Sequence, residues 1–227
     1  MKKQLFISIA MVLSSVTIPN VQASPLTVTA TIGGTPSVAG ATLETFNAAS
    51  PSILTLSGSA YLVTGGRGFP DYYTAPYFSG STAAYFGESP ANGYDDSQFV
   101  AVISGGSATL SFVTPEKYLG LLWGSVDKSY NTLTFYDSAN NVIDTVPGSA
   151  LSGVSDEDGG PNGTAYVNIT STIAFSKVVV NTSGSPGFFS FEFDDVAYAP
   201  VVPEPASVVL LGAGLCIFGF RCRRKFA

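Results

Sequence analysis

Hydrophobic and polar positions alternate with a period of two along most of residues 24–200, and Gly, Pro, Asn, Asp and Ser break the alternation into short runs. The runs predict strands near Leu26–Ile32, Ala41–Phe46, Ile53–Leu56, Ala60–Thr64, Phe99–Ile103 and Ala108–Val113. Further strands are expected near Tyr118–Ser125, Thr132–Asp137, Val142–Val146, Ala165–Ile169, Ile173–Asn181 and Phe188–Tyr198. No long stretch has the 3.6-residue period of a surface helix. About a dozen short strands in one domain point to an all-β fold, a jelly-roll-like β-sandwich, with a closed barrel as the other arrangement. Leu119-Gly120-Leu121-Leu122-Trp123-Gly124 is apolar on both alternations, as expected of a central strand buried on both faces. Trp123, the single tryptophan, reads as core, with sugar stacking as the alternative. Asn140-Asn141 marks a hairpin turn between the strands on either side.

Both ends depart from this pattern. Met1-Lys2-Lys3, the apolar Leu5–Ile18 and the small-residue site Val21-Gln22-Ala23 form a secretory signal peptide, residues 1–23, with cleavage expected between Ala23 and Ser24. At the other end Pro203-Glu204-Pro205 precedes the apolar run Val208–Phe220, and Arg221, Arg223, Arg224 and Lys225 close the chain. Rigid prolines, a greasy segment and a basic cluster in that order resemble the PEP-CTERM sorting tail, here residues 201–227. The resemblance implies that an exosortase, a membrane-embedded transpeptidase, recognises Pro203, Glu204 and Pro205 and cuts the chain there. The prolines keep that segment extended and exposed. The uncharged run Ala206–Phe220 has 15 residues, against about 20 for a full membrane crossing. A short transmembrane helix with snorkelling arginines is therefore expected, its cationic end cytoplasmic.

Setting the ends aside leaves residues 24–200, one secreted domain with room for a real core. Its only basic residues are Arg67, Lys117, Lys128 and Lys177, against fifteen acids, so nucleic acid is excluded as a partner. Both cysteines, Cys216 and Cys222, lie in the tail, and the whole chain has no histidine. Disulfide staples are thus excluded from the domain, and so are Ser-His-Asp and Cys-His catalysis. Asp95-Asp96 and Asp156-Glu157-Asp158 read as solvated acidic faces. The second fails as a calcium loop, because its fourth position is Gly159 and its twelfth Val167. A glycan-acting enzyme built on a carboxylate pair is the third reading.

Gly120–Asp127, Tyr130–Leu133, Phe135–Asp137, Tyr166–Asn168 and Phe191–Tyr198 together resemble a family of exosortase-dependent surface proteins over roughly Val100–Tyr198. That resemblance implies a secreted β-domain ahead of a sorting tail, and no activity. Gly65–Ser97 is the longest irregular stretch and is rich in Tyr and Phe. It reads either as a lid folding its rings onto a sheet, the expected case, or as a glycan surface with Tyr72, Tyr73 and Tyr77 as contacts. Phe189, Phe191 and Phe193 share an alternation that Asp195 continues. A carboxylate in line with core rings needs a partner, or a bulge at Asp194-Asp195 that turns it outward. Structural Ca²⁺ is the candidate partner, with Glu44, Asn47, Asp194 and Asp195 as ligands. The expected function is that of an exported cell-surface, extracellular-matrix or biofilm protein with a non-catalytic structural or adhesive role. The alternative is a module that binds extracellular polysaccharide.

Overall fold

The computed structural model describes residues 23–47, 53–66, 73–184 and 189–200. The signal segment up to residue 22 and the tail from residue 201 lie outside them, as does Tyr72. Among the described residues, no helix is long and apolar enough to cross a membrane. Ten strands, β1 (Leu26–Thr31), β2 (Thr42–Glu44), β3 (Leu54–Ser57), β4 (Ala60–Val63), β5 (Phe99–Ile103), β6 (Ser107–Gly124), β7 (Asn131–Tyr136), β8 (Val142–Pro147), β9 (Ala165–Thr182) and β10 (Ser190–Ala199), join in one antiparallel sheet. A short α-helix, α1 (Thr82–Phe86), precedes β5, and a single 3-10 turn, Gly148–Ala150, follows β8 among the described residues.

Two long strands of 18 residues each, β6 and β9, organise the sheet. Their first and second halves have different neighbours. Leu110 and its surroundings in β6 pair with β3 and with the second half of β9, which in turn carries β7 and β8. Beyond Tyr118, β6 pairs with β10 and with the first half of β9, which carries β1, while β10 carries β5 and β2. The sheet thus folds over as two layers that share β6 and β9, a sandwich-like arrangement. Its path runs from β4 to β8 without closing, so the described strands do not form the closed barrel.

Four of the strands expected from the sequence are halves of these two. The β6 ladder shifts register between Ser111 and Glu116 and again before Tyr118, and Val113, Thr114 and Pro115 are exposed there. Proline has no N–H to donate, so the ladder must break around it. The chain nevertheless continues in the same strand after the bend.

The core lies between the layers. Leu110, Leu119, Leu121, Trp123, Leu133, Phe135, Val167, Phe175, Phe191 and Phe193 are buried together. Trp123 stacks on Phe191 with ring centroids 4.1 Å apart, which assigns it to the core and away from solvent. Phe193 meets Phe46 edge-on at 5.6 Å, and Phe175 meets Phe135 at 5.1 Å. Such pairs add to the area term that dominates core stability.

The outer face of the layer built on β10, β6 and β9 is covered as well. Residues 73–97 lie across it. Phe78 packs on Leu122 and Tyr166, Phe86 stacks on Tyr166 at 5.8 Å, and Tyr73 meets Phe99 edge-on at 6.1 Å. Tyr77 bridges to Tyr94 and packs against its ring at 5.0 Å. The end of α1 is held to the turn after β1. Ser81 N donates to Gly33 O at 3.2 Å and Thr82 Oγ1 to Gly34 O at 2.6 Å. Gly33 and Gly80 touch through their backbones, and a Cβ on Gly80 would lie 2.8 Å from Gly33 O. This explains why leucine, tryptophan and glycine follow one another in β6 without a polar face: both sides are under cover.

Replacing Phe78 by Ala should therefore cost about 3 kcal/mol or more, as for a buried ring in a core. The fully exposed Val113 provides the contrast, since Val113→Thr should change stability by less than about 0.5 kcal/mol. Urea unfolding of the two variants beside the parent chain measures the difference.

Candidate metal centre

Side chains of β10 alternate between the core and the covered outer face. Phe191 and Phe193 point to the core, and Asp194, paired with Leu122, points to the outer face. The alternation then breaks. Asp194 pairs with Leu122 and Ala197 with Gly120, so two residues of β10, Asp195 and Val196, face the single Leu121. Asp195 has a φ of 53°, a left-handed conformation that is costly for any residue but glycine and is held only where its surroundings impose it. Tyr166 helps to impose it by donating its hydroxyl to Asp195 O at 3.0 Å. Val196 returns to the core behind it.

The bulge takes Asp195 out of line with the phenylalanines, but it does not deliver the acid to water. Asp194 and Asp195 are both 0% exposed, because the segment 73–97 closes over them. Two further acids come from that segment. Asp95 is 1% exposed; its N–H donates to Pro76 O at 2.9 Å, and its Oδ1 accepts from Ser97 N at 2.8 Å and Ser97 Oγ at 2.7 Å. Ser97 Oγ also lies 3.3 Å from Asp194 Oδ2. Glu88, just after α1, is half-buried, and its backbone N–H donates to Ala83 O at 2.8 Å. One carboxylate oxygen from each of Glu88, Asp194 and Asp195 lies within 4.8 Å of the others, and the same holds for Glu88, Asp95 and Asp96.

Four buried oxygens of this group have no hydrogen-bond donor: Asp95 Oδ2, Asp194 Oδ1 and both carboxylate oxygens of Asp195. Burial and the neighbouring carboxylates push Asp194, Asp195 and Glu88 toward their protonated forms. Asp194 is raised well above the usual range by burial, then by Asp195 and Asp95. Asp195 is raised to about 8 by burial, then by Glu88 and Asp95. Glu88 is raised by burial and Asp95, while hydrogen bonds from Asn47 and Ser97 work the other way. Such a group either keeps protons or holds a cation, since like charges this close cannot all ionise unaided.

A second carboxylate pair lies beside it. Glu192, also on the outer face of β10, is raised to about 8 by burial, with its Oε1 accepting from Thr74 N at 3.0 Å and from the Ser190 hydroxyl. Asp127 is raised to about 7 by burial, then by Glu157 and Asp156. These acids line a cavity of about 240 Å³ with Tyr73 and Ser125. A larger cleft of about 530 Å³ opens alongside, lined by Thr64, Thr74, Asn92, Tyr94, Asp95 and Asp96.

Of the ligands expected from the sequence, Asp194 and Asp195 are at the centre of the group. Glu44 is not in it: on β2 it stands opposite Val196, and its Oε1 accepts from Phe46 N at 2.9 Å. Asn47 reaches the rim, where its Oδ1 accepts from Gln98 N at 3.1 Å and its side chain bonds Glu88. Glu88 and Asp95 escaped the sequence reading. Asp95-Asp96 was expected on a solvated face, and only Asp96 is exposed. Residues in an irregular segment carry no periodicity that reports burial, so the sequence held no signal for it. Tyr73 and Tyr77 are half-buried, with rings engaged by Phe99 and Tyr94. Ser24 is exposed, and its Oγ donates to Asp144 Oδ2 on β8 at 2.5 Å, so the chain joins the domain at the residue after the expected cleavage site. Pro203, Glu204, Pro205, Arg221, Arg223, Arg224 and Lys225 lie outside the described residues.

Comparison with known proteins locates one motif and a set of folds. Residues 201–225 match the family model of the PEP-CTERM protein-sorting motif. No curated protein matches the chain. Among solved structures, the chain is similar to the K2 cleaved adhesin domain of Lys-gingipain, with a TM-score of 0.42 and 9% identity over 70% of this chain and 98% of that one. It is also similar to a family 6 carbohydrate-binding module, with a TM-score of 0.38 and 9% identity over 70% and 94% of the two chains. A third likeness is to the CBM22 tandem domain of Paenibacillus barcinonensis Xyn10C, with a TM-score of 0.37 and 10% identity over 73% of this chain and 47% of that one.

The raised carboxyls have a consequence for stability. With Asp127 near 7 and Glu192 and Asp195 near 8 in the folded chain, and carboxyls near about 4 when unfolded, the folded state binds more protons across that interval. The stability these groups contribute is full below about pH 4 and is lost progressively as pH rises to about 8, so in the presence of a chelator stability should fall between pH 5 and pH 8. Urea midpoints taken at pH 5 and pH 8 test this, and Glu192→Gln should flatten the difference.

Proposed function

We propose that this chain is an exported surface protein that an exosortase recognises at Pro203-Glu204-Pro205 and releases from its tail, leaving residues 24–200 as a non-catalytic structural or adhesive domain in the cell envelope or extracellular matrix. The observation that carries the reading is the match of residues 201–225 to the sorting motif, set directly after the last strand, which ends at Ala199. The chain thus passes from a completed sheet into the motif with no further domain between them. Its basic end, Arg221 to Lys225, suits retention on the cytoplasmic side while the domain is held outside.

The chemistry of the domain supports a non-catalytic role. With no histidine in the chain and no thiol before the tail, proton transfer falls to carboxylates. Of those with raised values, Asp194 and Asp195 are closed off under residues 73–97, Asp127 and Glu192 share a cavity of only about 240 Å³, and Glu116 stands without a second acid on the wall of another cleft. A second reading, binding of neutral polysaccharide, is favoured by one feature, the open cleft with Tyr94, Asn92 and Asp96 on its wall. A ring and an amide at the edge of a cleft are groups that sugars use. On this reading the contact falls to Asn92 and Asp96, which are exposed on the cleft wall, beside the half-buried Tyr94, whose ring also packs on Tyr77.

Intact-mass measurement of the envelope-released protein, from a host that carries an exosortase, should show a chain that lacks Val208–Ala227. A mass that retains the Arg221–Lys225 cluster would make the tail a permanent anchor. Glu204→Ala should leave unprocessed precursor in the inner membrane. For the second reading, Asp96→Ala with Asn92→Ala, both at exposed positions of the cleft wall, should abolish retention on neutral exopolysaccharide while moving the urea midpoint little.

A further inference from the structure

We propose that Glu88, Asp194 and Asp195, with Asp95 as the fourth carboxylate, form a calcium site that latches residues 73–97 onto the sheet. The inference stands apart from the reading of the tail, since every residue in it belongs to the β-domain.

The acids come from two pieces of chain that the fold brings together. Asp194 and Asp195 belong to the bulge of β10, while Glu88 and Asp95 belong to the covering segment. At the bulge the backbone adopts a positive φ at Asp195, which lets two successive carboxylates serve one side of a strand. A strand without the bulge would send them to opposite faces. Three of the four acids are buried, and four of their oxygens have no donor. Ordinary packing does not account for that, because each unpartnered buried oxygen costs free energy that a hydrophobic residue in its place would avoid.

The donor set selects the cation. It consists of carboxylate oxygens with the Ser97 hydroxyl beside Asp95 and Asp194, and contains no nitrogen or sulfur, which disfavours zinc. Magnesium demands near-octahedral geometry and keeps several waters, whereas calcium accepts six to eight oxygens in irregular arrangement. A closed group of carboxylates suits calcium. With the ion in place, attraction between segment and sheet replaces the repulsion among four carboxylates. Phe78 and Phe86 are then held on Leu122 and Tyr166.

Calorimetric titration of the full chain, purified in detergent and stripped with chelator, should show one equivalent of CaCl₂ bound, with MgCl₂ binding at least tenfold more weakly. Calcium should raise the melting temperature and protect the bonds of residues 73–97 from a protease. Asp194→Asn should abolish the titration. The milder Glu88→Gln, whose side chain is half-exposed, should weaken binding at least tenfold in a chain that circular dichroism shows to be folded. Glu44→Gln should leave it unchanged. Absence of binding at millimolar calcium would overturn the proposal. So would binding that survives Asp194→Asn and Glu88→Gln, or equal and strong binding of magnesium.

Discussion

The pairing of β6 with β9 is the constraint on which the rest of the structure depends. Twelve residue pairs of these strands face each other between Ser107–Asn181 and Trp123–Ala165, across a bend that neither chain crosses by ending. Each half of the pair supplies the edge on which a layer is completed: β3, β7 and β8 on one side of the bend, β1, β10, β5, β4 and β2 on the other. Because the same two strands serve both layers, the layers cannot slide apart, and the core between them is enclosed by continuous backbone. Trp123 and Phe191 lie in one layer, Phe135 in the other, and Phe175 on β9 just beyond its bend. With no disulfide available to the domain, this continuity and the aromatic packing carry the stability that a small secreted fold often takes from cross-links.

Burial of a second face follows from the first. A sheet layer with Leu122, Tyr166, Phe99 and Ala101 on its outer side must be covered, and the segment 73–97 covers it with Phe78, Phe86 and Tyr73. The rings of the segment are thus spent inward, which is why its tyrosines belong to the fold more than to a binding surface. At one edge of this cover the apolar contact gives way to carboxylates from both partners. Segment and sheet meet there through like charges, so the energy of closure depends on what neutralises them. Protons do so up to the raised values of Asp194 and Asp195, and a cation bound there would have to displace them, because the two compete for the same oxygens. On the proposed site, adhesion between the loop and the sheet would follow pH and calcium concentration together.

The sequence by itself determined the all-β character, the sorting motif of the tail and the presence of an aromatic covering stretch. These follow from local patterns, because side-chain period, turn residues and the order of charged and apolar zones are properties of consecutive residues. Tertiary structure alone decided the rest. The alternation ends one strand near Val113 and begins another near Tyr118, yet β6 runs through Pro115 between them, since a missing N–H interrupts a ladder without obliging the chain to turn away. Asp195 reads as a core position by its alternation with Phe191 and Phe193, yet a bulge against Leu121 shifts it to the other face. Asp95 reads as a solvated loop acid, yet it is buried, because burial in an irregular segment is set by what packs over it. Glu88 joins the acids of β10 across more than a hundred residues. Which carboxylates share a space depends on the meeting of distant surfaces, and no interval along the chain encodes that distance.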